Sequence, residues 1–180
     1  MGIAIHFEGG LHDEAAFKHV IGAAQILAER EGWRWETIDA SAVTLKRVRD
    51  EQGWDYTGPT RGIVLYPHEN SEPLRLEFDR DLIVQEFIKT QFAPAEIHVK
   101  IVGFLKEIVP HFEALTVEDE GEYWDTGGLD VLENHRQAIF RALSDELSAS
   151  ADLVGPVRLR SGRKIEIGRA SCRERVCELV

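Results

Sequence analysis

Apolar and polar residues alternate most regularly in two short segments of the chain. Residues 3–7 and residues 74–78 each place an apolar side chain at every second position. A period of two is typical of a strand with one buried face. Three more segments have the length and composition of strands: Trp33–Ile38, Gly62–Tyr66 and residues 115–117. The pattern therefore predicts a protein with several short strands.

Three other segments space their apolar residues three and four positions apart. This spacing predicts helices over residues 17–28, 97–108 and 132–147. Asp13 offers an N-cap to the first helix, and Gly32 follows it as a C-terminal glycine. The other two helices have their own boundary residues: Pro94 at the first helical position, Pro110 as a stop, and Asp130 with Glu133 as a pair that resembles a capping box.

Two segments fit no single period. Val43–Val48 could form a short strand or a helical turn, and Gly53–Pro59 has the composition of a loop. Residues 82–92 fit a strand and a helix equally well. Near the C-terminus, residues 157–165 are predicted to form a hairpin around Ser161-Gly162.

The resulting element order is β-α-β-β-β-α-β-α-β. Helices interspersed with hairpins favour an α+β fold, with a mixed, mainly antiparallel sheet, two long helices on one face and the third helix beside them. A ferredoxin-like topology is one arrangement that fits, because a hairpin separates the first two long helices. About 165 residues are expected to form one domain, residues 1–165.

The last fifteen residues resemble something other than a natural protein segment. Glu166–Val176 is similar to the translation of a common short-read sequencing adapter, and Cys177–Val180 follows it. We therefore expect residues 166–180 to be an adapter-derived tail and the natural C-terminus to be missing. Both cysteines, Cys172 and Cys177, fall in this tail. Residues 1–165 then offer no disulfide, zinc–cysteine site or thiol nucleophile.

Charge narrows the range of functions. The chain has a formal net charge of −11, and the tail contributes nothing to it because its basic and acidic residues balance. This sign argues against nucleic acid or an anionic membrane surface as a partner, since both require a basic footprint. It is compatible with a cationic protein or a small cationic ligand. Without a membrane-span-length apolar run or a signal peptide, the expected location is the cytoplasm.

The loop between Pro67 and Pro73 is the first candidate site. It contains His68, Glu69 and Glu72, and an imidazole beside carboxylates can act as an acid–base pair or ligate a metal. However, no third ligand stands at a recognised spacing. The alternative is an exposed connection between two strands, which needs polar residues for its turns.

Two further candidates are ligand-binding segments. Lys89 and Gln91 precede the helix that starts near Pro94, where they could hold an anion. Tyr123 and Trp124 follow an acidic run and could form a platform for a cation, and residues 54–58 invite the same interpretation. Ordinary helix capping and closure of the core edge are the respective alternatives. No nucleotide or cofactor fingerprint is present, so no cofactor is expected.

Three stretches, Gly62–Asp79, Lys89–Ala93 and Asp119–Gly127, carry a family resemblance. Together they resemble an uncharacterised family of small bacterial soluble proteins, over roughly residues 60–165. The resemblance implies a final strand after the turn at Ser161, which we expect this chain to lack. It carries over no catalytic residue.

These observations lead to two functional expectations. The first is a cytoplasmic binding or interaction module that uses its acidic surface against a cationic partner. The alternative is a small enzyme or metal-binding protein centred on the His68–Glu69 loop, which requires a concave site where further polar groups converge.

Overall fold

The structure, a computed structural model, describes residues 3–49, 52–149, 157–158 and 164–165. The chain forms two compact units, residues 1–139 and 140–180. The elements are, in chain order, β1 (Ala4–Leu11), α1 (Glu14–Glu31), β2 (Arg34–Arg49), β3 (Gln52–Tyr66), β4 (Leu74–Phe78), β5 (Ile83–Lys89), α2 (Ala95–Ile108), a 3₁₀ turn (Val109–His111), β6 (Phe112–Asp119), α3 (Tyr123–Thr126), α4 (Leu129–Ala149), β7 (Val157–Arg158) and β8 (Lys164–Ile165).

The first unit contains two three-stranded sheets, with the strand orders β5-β1-β6 and β2-β3-β4. Every strand pair in them is antiparallel. A tight turn connects β4 to β5, closed by the Asp79 amide donating to the Ile83 carbonyl at 3.1 Å. The predicted α+β fold with a mainly antiparallel sheet is confirmed.

One apolar core lies between the sheets and the first two helices. The inner faces of the strands supply branched and aromatic side chains such as Phe7, Leu65 and Phe78, and α1 and α2 supply Val20 and Leu105. All of these side chains are buried. Their burial follows from the periods of two and of three to four that the sequence shows, because those periods put the apolar residues of each element on one side.

The ends of α1 are where the sequence predicts them. The Asp13 carboxylate accepts a hydrogen bond from the Ala16 amide at 2.8 Å. Gly32 takes a left-handed conformation with φ of +68°, and its amide donates to the last turn of the helix. A side chain is disfavoured at that φ, so glycine suits the position.

The order of elements differs from the predicted one in the middle of the chain. Four strands, β2 to β5, lie between α1 and α2. The predicted order has three strands there, and a ferredoxin-like order has two. Gly53–Pro59 was expected to be a loop and lies within β3. Pairing with β2 along almost its whole length gives this stretch its hydrogen bonds, and tertiary pairing of this kind overrides local composition.

Within the second unit, β7 and β8 pair as an antiparallel hairpin, Val157 with Ile165 and Arg158 with Lys164. This confirms the predicted hairpin as far as it is described. The adapter-like residues 166–180 lie outside the described residues, so the domain boundary at residue 165 stays a prediction. Within the described chain, no helix has the length and apolar character needed to cross a membrane.

Candidate binding cleft

A cleft of about 340 Å³ opens on the outer face of the β5-β1-β6 sheet. The strands of this sheet and the turn before β5 form its floor and one side. The far part of the β2–β3 hairpin, residues 43–49 and 52–58, forms another side. The polar and aromatic lining side chains are Glu8, Arg47, Trp54, Asp81, Gln85, Glu113 and Thr116.

Two glycines of β1 shape the floor of the cleft. Gly9 belongs to the inner face, where a Cβ atom would lie 2.3 Å from the Ala114 carbonyl oxygen. Glycine therefore lets β1 and β6 approach closely. Gly10 belongs to the outer face, and a Cβ atom there would meet only Ile83, at 3.9 Å. The missing side chain at Gly10 leaves the depression open.

A β-bulge places Glu113 at the cleft. Gly10 pairs with Ala114 and Leu11 pairs with Phe112, so Glu113 is an extra residue on β6. Without the bulge, alternation from Leu115, which packs against the core, would turn Glu113 inward. With the bulge, Glu113 is exposed and lines the cleft. Bulges re-aim side chains in this way.

A second register shift lies in the long hairpin, between Ala40 and Val43 of β2. Beyond it, the hairpin returns to the β5-β1-β6 sheet, where the Val48 amide donates to the Gln85 side chain at 2.8 Å. Arg47 and Trp54 are cross-strand partners, so their side chains leave the hairpin on the same face. Both line the cleft.

The charge of the cleft is negative because its buried cation is already paired. Arg47 is only 3% exposed. Its Nη2 atom lies 3.2 Å from the Asp79 carboxylate and donates to the Ile83 carbonyl at 2.9 Å. The other Asp79 oxygen accepts from the amides of Asp81 and Ile83. Arg47 Nε has no hydrogen-bond partner among the described residues.

Three carboxylates then determine the potential in the cleft: Glu8, Asp81 and Glu113. The Glu8 carboxylate accepts a hydrogen bond from the Gln85 side chain. Trp54 adds an aromatic ring that is 42% exposed. Carboxylates and an aromatic face in a concave site are the groups that bind ammonium and guanidinium ions.

A second polar cluster, formed by Thr90, His98 and Asp119, is buried away from solvent. Thr90 Oγ1 lies 2.8 Å from His98 Nδ1, and His98 Nε2 lies 3.1 Å from Asp119 Oδ2. The Asp119 carboxylate also accepts from the amides of Gly121 and Trp124, both at 2.8 Å. Burial acts to raise the pKa of Asp119, but the hydrogen bond and charge of His98 and the two amides outweigh it, so the pKa is lowered.

The order hydroxyl–imidazole–carboxylate in this cluster is that of a nucleophilic triad. However, Thr90 is 1% exposed and His98 is fully buried, so a substrate cannot reach the hydroxyl in this conformation. What the cluster does is join α2 to the ends of β5 and β6. The sequence analysis did not predict that His98 is buried. His98 lies four residues before Val102 and seven before Leu105, and this spacing indicates a buried helix position.

Two of the site residues predicted in the Pro67–Pro73 loop, His68 and Glu72, make hydrogen bonds to nearby backbone. The half-buried His68 accepts a hydrogen bond from the Asn70 amide at its Nδ1 atom, at 3.0 Å. The Glu72 carboxylate accepts from the Lys89 amide at 3.1 Å, and the Glu72 amide donates to the Lys89 carbonyl at 3.0 Å. The structure thus brings Glu72 and Lys89 together, through the backbone of β5. Glu69 is exposed.

The other predicted ligand-binding residues lie around the buried cluster. The Gln91 side chain accepts from the Ile3 amide at 3.0 Å. Tyr123 meets the His98 ring edge-on at 6.3 Å, and Lys106 lies over the ring of Trp124 at 5.3 Å. In the part of the chain that the structure describes, no three His, Cys, Asp or Glu side chains are grouped so that they could hold a metal ion.

Comparison with known proteins adds no assignment. The chain matches no protein-family model, no curated protein and no solved structure.

Proposed function

We propose that this protein is a binding module whose cleft receives a positively charged group of a partner protein or a small cationic ligand. The observation that supports this proposal is the lining of the cleft: three carboxylates and the ring of Trp54 surround a space whose buried cation, Arg47, is already paired with Asp79. The net charge of −11 agrees with such a role.

The interaction is expected to be weak for a single cation. A solvent-exposed ion pair contributes about 0.2–1 kcal/mol, and a cation over an exposed aromatic ring about 0.5–1 kcal/mol. Together these contacts correspond to a dissociation constant on the order of 1 mM or weaker. A natural partner would need further contacts to bind tightly, so we infer that the cleft is one part of a larger interface.

Titration of the nitrogen-15-labelled protein with N-acetyl-arginine amide, followed by NMR, tests the proposal. The citrulline analogue is the matched neutral ligand, because it has nearly the same shape without the charge. We expect the arginine derivative to shift the amide signals of Gly9 and Gly10 and the indole signal of Trp54. The citrulline derivative should leave them in place.

Two triple variants separate the cleft from the overall charge. Glu8→Gln, Asp81→Asn and Glu113→Gln together should weaken binding about tenfold or more, since three favourable pairs are removed. Glu29→Gln, Glu96→Gln and Glu107→Gln remove the same charge at exposed helical positions and should change it by no more than about twofold. Equal losses in both variants would mean that only the diffuse charge attracts the ligand, and the proposal would fail.

A further inference from the structure

We propose that the cleft continues along the outer face of β1 to a second cation position, and that the partner is an extended peptide segment with basic residues two positions apart. This inference rests on the proposed function of the cleft. It adds the shape of the partner and the spacing of its charges.

The strand register places the second position. Glu8 of the cleft lies between Gln85 of β5 and Thr116 of β6 in the outer row of side chains. Two residues back along β1, His6 lies between Phe87 and Glu118. Strands rise about 3.4 Å per residue, so the two rows are about 7 Å apart.

The second row also combines a carboxylate with aromatic rings. The rings of His6 and Phe87 are stacked at 5.4 Å with an angle of 25° between their planes. Phe87 is 37% exposed, and Glu118 is exposed at the other side of His6. The cleft has a carboxylate and an aromatic ring in Glu8 and Trp54, and the second row has them in Glu118 and the His6–Phe87 pair. Each combination suits a guanidinium or ammonium group.

An extended peptide has the matching spacing. Its side chains at positions i and i+2 point to the same side and are about 7 Å apart. If residue i enters the cleft, residue i+2 lies over the His6–Phe87 row. Alternating basic residues, as in Arg-X-Arg, are the pattern that fills both positions.

An unused donor of Arg47, a residue that lines the cleft, favours a peptide over a polyamine. Arg47 Nε is buried and has no hydrogen-bond partner among the described residues, and a buried donor gains from an acceptor. A peptide brings backbone carbonyl oxygens, whereas a polyamine brings only further donors. Because solvent does not reach this N–H, the contact requires a small shift of neighbouring side chains.

Two peptides of equal composition test the spacing. Acetyl-Gly-Arg-Ala-Arg-Gly-amide has its arginines two apart, and acetyl-Gly-Arg-Arg-Ala-Gly-amide has them adjacent. The spaced peptide should bind about fivefold tighter, since only it fills both rows at once. Phe87→Leu, which keeps an apolar side chain, and Glu118→Gln should each reduce that advantage.

The outcomes distinguish this inference from the proposed function. If N-acetyl-arginine amide binds the cleft but both peptides bind equally well, or if the advantage survives in both variants, the second position does not exist. If N-acetyl-arginine amide does not bind at all, the proposed function itself fails. A spaced-peptide advantage that depends on Phe87 and Glu118 supports the inference.

Discussion

The buried Thr90–His98–Asp119 cluster and the cleft each bring together polar side chains from distant segments, and they differ in whether those groups have partners within the chain. At the Thr90–His98–Asp119 cluster, both imidazole nitrogens and both carboxylate oxygens have partners in the chain, and solvent is excluded. At the cleft, the carboxylates of Glu8 and Glu113 border an open space.

This difference links the buried cluster to folding stability and the open cleft to ligand binding. A buried network in which every member is paired fixes the elements that supply it, and breaking it leaves groups unsatisfied in a low-dielectric interior. Charges around an open cleft contribute little to folding because water screens them, yet they remain able to meet a ligand. The triad-like order of Thr90, His98 and Asp119 therefore says less about where a ligand binds than the open cleft does. The open cleft is the better candidate site.

The strongest way to test the structural role of the buried cluster is Asp119→Ala. The change removes the acceptor for His98 and for the amides of Gly121 and Trp124. We expect the free energy of unfolding to fall by about 3–5 kcal/mol. Denaturant unfolding measures it, with the exposed neighbour Glu118→Ala as the control, which should change by no more than about 0.5 kcal/mol. Similar small effects in both variants would contradict a structural role.

The pH dependence of stability follows from the lowered pKa of Asp119. Its carboxyl group is expected to titrate at the ordinary value of 3.8 in the unfolded chain and below that value in the folded one. The stabilisation is therefore present above pH 3.8 and is lost as the pH falls through the folded-state pKa. The difference in unfolding free energy between wild type and Asp119→Asn should shrink over this acidic range. Unfolding curves at successive pH values measure it, and a constant difference would show that Asp119 is not the group responsible.

Two glycine substitutions compare the buried cluster with the cleft, and both should change the free energy of unfolding less than Asp119→Ala does. At Gly121, a Cβ atom would lie 2.6 Å from Leu132 and 3.1 Å from the Asp119 carboxylate. Gly121→Ala should therefore lower the free energy of unfolding by about 1–3 kcal/mol. Gly10→Ala in the cleft meets nothing closer than 3.9 Å and should change it by no more than about 0.5 kcal/mol. Thermal unfolding of both variants checks this, and the reverse order would contradict the account.

Much of the fold could be predicted because it depends on local periods. The caps of α1 at Asp13 and Gly32 and the bounds of β4 depend on residues close together in sequence. The far part of the β2–β3 hairpin could not be predicted, since Gly53–Pro59 owes its strand conformation to pairing with β2. Local composition carries no record of that pairing.

The cleft could not be predicted from the sequence for a similar reason. Glu113 reaches it only because a bulge breaks the alternation of β6, and Arg47 and Trp54 reach it only because the hairpin returns to the β5-β1-β6 sheet. Trp54 was predicted as a possible platform residue, but its acidic neighbours in space come from other segments. The negative net charge indicated a cationic partner without indicating where it would bind.

The most direct test of the central claim compares the two regions in one binding measurement. N-acetyl-arginine amide is titrated into wild type, the variant combining Glu8→Gln, Asp81→Asn and Glu113→Gln, and Asp119→Asn, under conditions where all three are folded. We predict that the cleft variant binds about tenfold more weakly and that Asp119→Asn binds as wild type does. If Asp119→Asn lost binding while the cleft variant kept it, the ligand site would lie at the buried cluster, and the account would be wrong.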